Sequence, residues 1–337
     1  MYLRAGLALL FCLLFRPFLA TSADPGPGPE DLFAKALSQQ DMWRKNAAPI
    51  KVRADVTLYP EQGSTITGAY QLDWISASQW REELRFANYV RSRIGVPGGY
   101  LQKSDTDYIP FFVFEFDSLT YLTDVLTLRS KQSFGKTRPK EKDGMRQNCV
   151  DIKREASVTR NLCFDASTGS LVSADYLAYD RYHAPYISRI EYSDFRPYQG
   201  KLFPYEMRAL HAGQPFVSVK ILEIGNPPDQ NSPIYNSRPD WTFWSRCEST
   251  EVELKRKTDP IYPVDTGVHQ EGGTVYFYVI VEPDGTVSHV RLIKGATERL
   301  NQVAGVAVRD WVYTPPKCDG KPVRVEMSIG VEFWPRG

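Results

Sequence analysis

Neither sign of charge is in excess in this chain: 41 Lys and Arg face 40 Asp and Glu over 337 residues, a formal net charge of +1. A phosphate-binding surface needs a basic excess, so nucleic acid is not expected as a partner. Histidine is scarce, with only His183, His211, His269 and His289, and no Cys-x-x-Cys pair accompanies them. Metal ligation therefore lacks its usual spaced ligands, and neither a metal nor a cofactor is expected. Apolar runs long enough to cross a bilayer are also missing, and a mean hydropathy of −0.38 excludes a multi-span membrane protein. No Gly-x-Ser-x-Gly elbow, phosphate-binding glycine loop or His-Glu-x-x-His helix occurs, so the chain is not expected to be an enzyme. The carboxylate pair Glu82-Glu83 offers no acid–base couple, because neighbouring strand residues point to opposite faces. His183, His211 and His269 stand beside loop or turn residues, and Lys136 to Lys142 (KTRPKEK) is mixed in sign and reads as a solvated loop.

What is present is the composition of a folded protein, 42% hydrophobic and 13% aromatic. Its length favours two domains. Arg4, the apolar run Ala5 to Phe15 and the small residues Thr21-Ser22-Ala23 read as a cleavable signal peptide over residues 1–23, with an uncleaved anchor as the alternative. Cys12 is not in a lipidation context, since the large Phe11 precedes it. Export leaves Cys149, Cys163, Cys247 and Cys318, an even set bound for an oxidising compartment, so disulfides are expected. Four cysteines permit three connectivities, and sequence does not choose among them. The preferred pairs are Cys149 with Cys163, on adjacent strand-like segments, and Cys247 with Cys318.

Residues 30–225 read as a β-rich domain. Glu30 to Met42 places Leu32, Phe33, Ala36 and Leu37 at helical spacing, with two acidic residues at the start. The period then changes to two: Val52, Ala54, Val56 and Leu58 alternate with polar residues. Similar segments follow at Thr65 to Ile75, Glu82 to Ser92, Met145 to Lys153, Val158 to Phe164, Ser170 to Tyr179, Tyr186 to Phe195, Tyr205 to Leu210 and Val217 to Ile224. Many short strands in meander order predict an antiparallel sheet or half-barrel, with Pro110 to Leu128 as a second helix lying on it. Residues 226–254 concentrate Pro, Asn and Ser and read as a linker. Trp241, Phe243 and Trp244 within it are expected to pack against a domain.

The clearest local signals lie in residues 255–337. Val275, Phe277, Val279 and Val281 alternate with Tyr276, Tyr278 and Ile280, so this strand is apolar on both faces and predicts cover on both. Pro283-Asp284-Gly285 makes a hairpin turn. Leu300, Val303, Ala304, Ala307, Val308 and Trp311 then form one helical stripe, capped by Thr297. Gly305 stands inside that helix, where it costs about 1 kcal/mol relative to Ala. From Val323 to Phe333 alternation returns, which completes the order strand, strand, helix, strand. The fold class expected for the whole is α+β.

These C-terminal features, taken in order, resemble the TonB C-terminal domain family. They are Tyr262-Pro263, Gly273-Thr274-Val275, Asp284-Gly285-Thr286-Val287, the helix Leu300 to Trp311, the turn at Pro315, and Gly320-Lys321-Pro322-Val323. The resemblance implies a periplasmic domain whose last strand receives extended segments of protein partners, such as outer-membrane receptors, by strand addition. Carried onto this sequence, it makes Val323, Arg324, Val325, Glu326 and Met327 the partner-binding residues. An exposed sheet edge is physically suited to that role. A TonB transducer also has a membrane helix and a Pro-rich rod, whereas here a β domain stands in the rod's place, so energy coupling is not implied. More loosely, residues 30–225 resemble the LolA-type lipoprotein carriers, through the opening helix, the aromatic meander and the helical insertion. That resemblance implies a curved sheet over an apolar cavity for acyl chains; the other reading of Trp74, Trp80, Phe86 and Tyr89 is an ordinary core. The functional expectation is a non-catalytic periplasmic protein that binds envelope or outer-membrane receptor partners in a transport-related role. The alternative is a lipid or lipoprotein carrier or sensor with the TonB-like unit as docking module.

Overall fold

The computed structural model describes residues 27–41, 48–60, 63–126, 128, 131–154, 157–179, 185–236, 238–245, 252–262, 272–315, 317–318 and 320–334. The signal-peptide segment, His183, Cys247 and His269 lie outside the described residues.

Helix α1 (Pro29–Gln40) starts on a proline with Glu30 and Asp31 in its first turn, where fixed φ and negative charge both favour a helix N-terminus. It buries Leu32, Phe33 and Ala36. The Gln40 carboxamide then ties it to the sheet, donating to the Leu171 carbonyl at 3.0 Å and accepting from the Leu171 N–H at 2.6 Å.

Five strands follow as a meander: β1 (Ile50–Leu58), β2 (Ile66–Ser76), β3 (Gln79–Phe86), β4 (Tyr89–Val96) and β5 (Gly99–Ser104). Helices α2 (Phe111–Thr120) and α3 (Leu122–Leu126) cross the inner face of the sheet. At the far side the chain resumes with β6 (Gln132–Lys142), β7 (Met145–Arg154), β8 (Ser157–Asp165), β9 (Leu171–Tyr179), β10 (Pro185–Tyr198), β11 (Lys201–His211) and β12 (Gln214–Gly225). This second meander steps back until β12 pairs with β1, through partners such as Val56 and Val219. After the 3₁₀ turn η1 (Pro233–Tyr235), β13 (Thr242–Ser245) adds to β5. The result is one open antiparallel sheet of 13 strands, with β13 and β6 at its edges.

Three local expectations are corrected. Glu82 to Ser92 is not one strand: the chain turns at Ala87-Asn88, and Phe86 pairs with Tyr89. A two-residue turn hidden between apolar neighbours leaves no break in the alternation. Pro110 to Leu128 forms two helices rather than one. Lys136 to Lys142 is strand rather than loop, and belongs to the edge strand β6. Its charges and Pro139 suit that place, because they discourage another strand from pairing there. Cys149 and Cys163 are direct cross-strand partners on β7 and β8 and form a disulfide. Cys318 is also disulfide-bonded; Cys247, its expected partner, lies outside the described residues.

The C-terminal unit contains β14 (Leu254–Arg256), β15 (Gly273–Val281), β16 (Val287–Lys294), α4 (Glu298–Arg309), β17 (Val312–Tyr313), β18 (Lys317–Cys318), β19 (Lys321–Pro322) and β20 (Val325–Phe333). Gly285, at φ 89°, supplies the left-handed residue that the turn between β15 and β16 requires. Thr297 caps α4, its Oγ1 accepting the Leu300 N–H at 3.4 Å. The main sheet has the order β16-β15-β20. On one face Val275, Phe277, Val279, Ile329 and Val331 meet Leu300, Ala304 and Val308 of α4. On the other face Tyr278 and Ile280 are part of the large domain's core.

Gly305 faces the Phe277 ring, and a Cβ there would lie 3.5 Å from it, an ordinary contact. Gly305→Ala is therefore expected to raise stability by about 0.5–1 kcal/mol in a denaturant titration. A second prediction concerns Asp73, which is fully buried, with Oδ2 bonded by Gln71 at 2.7 Å and Oδ1 without a partner. Burial raises its pKa, so the folded state disfavours the carboxylate and loses stability as pH rises through that raised pKa. Asp73→Asn should be more stable than the parent at neutral pH, with the gain vanishing below about pH 3.9, where the unfolded carboxyl is also protonated. Thermal melts at several pH values would check this.

Candidate functional site

Alternation along β20 divides its side chains between two neighbours. Val325, Met327, Ile329, Val331 and Phe333 turn toward α4. Glu326 and Ser328 lie opposite Ile280 and Tyr278 of β15, on the face that meets the large domain. Of the residues expected to bind partners, Val323 and Arg324 precede the strand, Val325 and Met327 pack with the small core, and Glu326 points into the domain interface.

Glu326 is the centre of that interface. Its carboxylate accepts the Tyr100 and Tyr278 hydroxyls, each at 3.1 Å, and the Arg93 guanidinium at 3.4 Å. Burial and the Glu326 charge both push the two phenols' pKa values upward, so both remain hydrogen-bond donors. Arg324 lies over the Trp244 ring, 4.6 Å from its centroid, which is cation–π geometry. Tyr276 meets Phe111 at 5.0 Å between centroids, and the Lys294 ammonium sits 5.2 Å above the same ring. At the rim Asp107 pairs with Arg291 and has His289 at 3.6 Å.

Behind Arg93 lies a buried charge cluster. On β3 the inward row reads Trp80, Glu82, Leu84, Phe86, and on β4 it reads Tyr89, Arg91, Arg93. Arg91 is fully buried and grips Asp117 of α2 with two bonds of 2.8 and 2.7 Å, and Glu82 with one of 2.8 Å. Tyr121 donates to Glu82 at 2.9 Å. Arg93 donates through Nε to Gln102 at 2.7 Å. Glu83 faces the other way, to Arg81 and Arg85, so the two adjacent carboxylates sit on opposite faces, as strand geometry requires. This cluster was missed from the sequence; the signal that could have found it is the carboxylate of Glu82 interrupting an apolar row. Its arginine partners were obscured once β3 and β4 were read as one strand.

The remaining candidates are dispersed. His211 stacks on Phe216 at 4.3 Å, with Glu115 at 3.6 Å. Among the described residues no group of three His, Cys, Asp or Glu could hold a metal ion, and no helix is long and apolar enough to cross a membrane. Trp74, Trp80, Phe86 and Tyr89 are core residues, each at most 6% exposed. The inner face they line is filled by Val113, Phe116 and Leu119 of α2 and Leu122 and Val125 of α3.

One edge of β20 remains open. Among the described residues the strand pairs with β15 alone. Beside its C-terminal half runs a groove of about 500 Å³, lined by Lys257, Tyr262, Trp311, Gly330, Glu332 and Trp334.

The chain is thus an antiparallel β domain joined to a small sheet-and-helix unit whose last strand has, among the described residues, an open edge. Residues 258–335, the C-terminal unit, match the family described as Gram-negative bacterial TonB protein C-terminal. No curated protein matches the sequence. The solved structures that resemble it include the following three, each at 11% identity. A LolA superfamily protein from Nitrosomonas europaea covers 63% of this chain and 99% of its own, with TM-score 0.38. A DUF1329 family protein from Desulfovibrio piger covers 64% and 98%, with TM-score 0.41. A domain described as an outer membrane lipoprotein-sorting protein, from Vibrio parahaemolyticus, covers 62% and 96%, with TM-score 0.42. Likenesses at these scores assign no ligand to this chain.

The charge cluster gives a stability prediction. Arg91→Met removes the nearest cation of buried Glu82 and leaves it only Arg93, at 3.8 Å, which costs about 3–5 kcal/mol. Arg85→Ala, at an exposed pair on the outer face, should change stability by less than about 0.5 kcal/mol. Urea titrations of both variants would check the contrast.

Proposed function

We propose that the chain is a non-catalytic periplasmic protein whose TonB C-terminal domain receives an extended segment of an envelope or outer-membrane receptor partner along the open edge of β20. The observation that carries this reading is that, among the described residues, one edge of a nine-residue strand has no partner strand. Its backbone N–H and C=O groups are a template for an added strand. The adjacent groove supports it, since Tyr262, Trp311 and Trp334 would take apolar side chains at alternate positions of that strand. On this reading Val323 to Met327 contribute through the backbone, because the side chains of Val325, Glu326 and Met327 are already engaged within the chain. The carrier reading is less well supported: lipid on the inner face would have to displace α2, α3 and the docked C-terminal sheet.

The test is a photo-crosslinking amino acid placed in the full chain in its native type of cell. A probe at Glu332, exposed on β20, should capture a defined envelope protein. The same probe at Val306, 63% exposed on the outer face of α4, should not. Equal capture from both positions, or none from Glu332, overturns strand addition at this edge. Lipid as the stoichiometric companion of the purified chain would favour the carrier instead.

A further inference from the structure

We propose that the C-terminal domain is a releasable cap on the large domain, with Glu326 as the latch. The proposal rests on how charge is shared across the contact and is independent of the strand-addition reading.

The buried charges of the large domain close on one another without help from the cap. Arg91 is held by Glu82 and Asp117, and Tyr121 completes Glu82. Arg93 makes its short bond to Gln102 at 2.7 Å and has Glu82 and Asp117 within 3.8 and 3.7 Å. Two guanidiniums thus balance two carboxylates inside one domain. Glu326 adds a third carboxylate from outside, at the longer distance of 3.4 Å from Arg93.

This asymmetry decides what separation would cost. Removing one member of a buried pair is expensive when the other is left without a partner in a low dielectric. Here Arg93 keeps its partners, Glu326 returns to water, and both tyrosine hydroxyls gain solvent as a new partner. Among the described residues no strand ladder joins the two sheets. The apolar part of the contact brings Tyr276 against Phe111 and places Tyr278 and Ile280, with Ile293 beside them, against the large domain's core. The rim pair Asp107–Arg291 is half exposed, at 53% for each side chain, so it holds weakly.

Opening would uncover a recess on the large domain that presents Arg93, Tyr100, Gln102, Phe111 and Trp244. In the closed form that recess holds a carboxylate flanked by tyrosine and isoleucine side chains, all supplied by the same chain.

The experiment is hydroxyl-radical footprinting of the full exported chain, with its radius of gyration from small-angle scattering. Glu326→Gln keeps the shape and removes the charge. It should shift the opening equilibrium about tenfold, the scale of one charge-assisted hydrogen bond. Labelling of Tyr278 and Tyr100 should rise accordingly and the particle should expand. Asp107→Arg touches neither core and opposes Arg291, so it should shift the same readouts in the same direction. Phe277, in the small domain's own core, should stay protected in both variants. Unchanged Tyr278 protection in both variants means a permanent interface and overturns the proposal. A parallel rise at Phe277 means that the domain unfolds rather than lifts, and overturns it as well.

Discussion

Strand β15 carries apolar side chains on both of its faces, and the closed arrangement of the two domains follows from that pattern. A sheet with one apolar face needs one covering layer; Val275, Phe277 and Val279 on one side and Tyr276, Tyr278 and Ile280 on the other need two. Helix α4 supplies one layer. The other is the helix-covered side of the large sheet, so the small domain is docked where a free-standing unit would expose an aromatic face. Docking also engages side chains of β20, so that among the described residues what it leaves unpaired is one backbone edge.

The large domain shows how a sheet of 13 strands is kept from pairing indiscriminately. One edge carries Lys136, Arg138, Lys140 and Pro139 on β6, and the other ends in the short β13. Gly99 permits that short strand to approach, since a Cβ there would lie 2.1 Å from the Trp244 carbonyl oxygen. The open edge of the small sheet carries less protection, in keeping with the role proposed for it. The inner face combines ordinary apolar packing with one cluster of charges, and that cluster lies where the two domains meet. Buried ion pairs contribute little net stability but fix geometry, because misplacing either partner is costly. Arg91 and Asp117 therefore set where α2 lies, and α2 sets where Phe111 meets the small sheet.

Much of this was legible in the residues. The alternation from Val52 to Leu58 and from Val325 to Phe333, the stripe on α4 and the turn at Asp284-Gly285 are local patterns, and each formed the expected element. The aromatic residues Trp74 and Trp80 proved to be core, as large apolar side chains usually are. The pairing of Cys149 with Cys163 followed from two neighbouring strands. Less legible were the turn at Ala87-Asn88, which has no glycine or proline, and β6, whose charges resemble those of a loop.

By itself the sequence determined the element types, the hairpin order and the two-faced character of β15, because these depend on spacing along the chain and on local sterics. Tertiary structure alone decided that β12 closes onto β1, that Arg91 meets Asp117 across 26 positions, and that Glu326 meets Tyr100 across 226. Contacts of that range depend on where whole elements come to rest, and the partners' spacing in sequence carries no periodic trace of it. The strand Val325–Phe333 was legible from its own alternation, whereas the bond of Glu326 to Tyr100 needed two domains in contact.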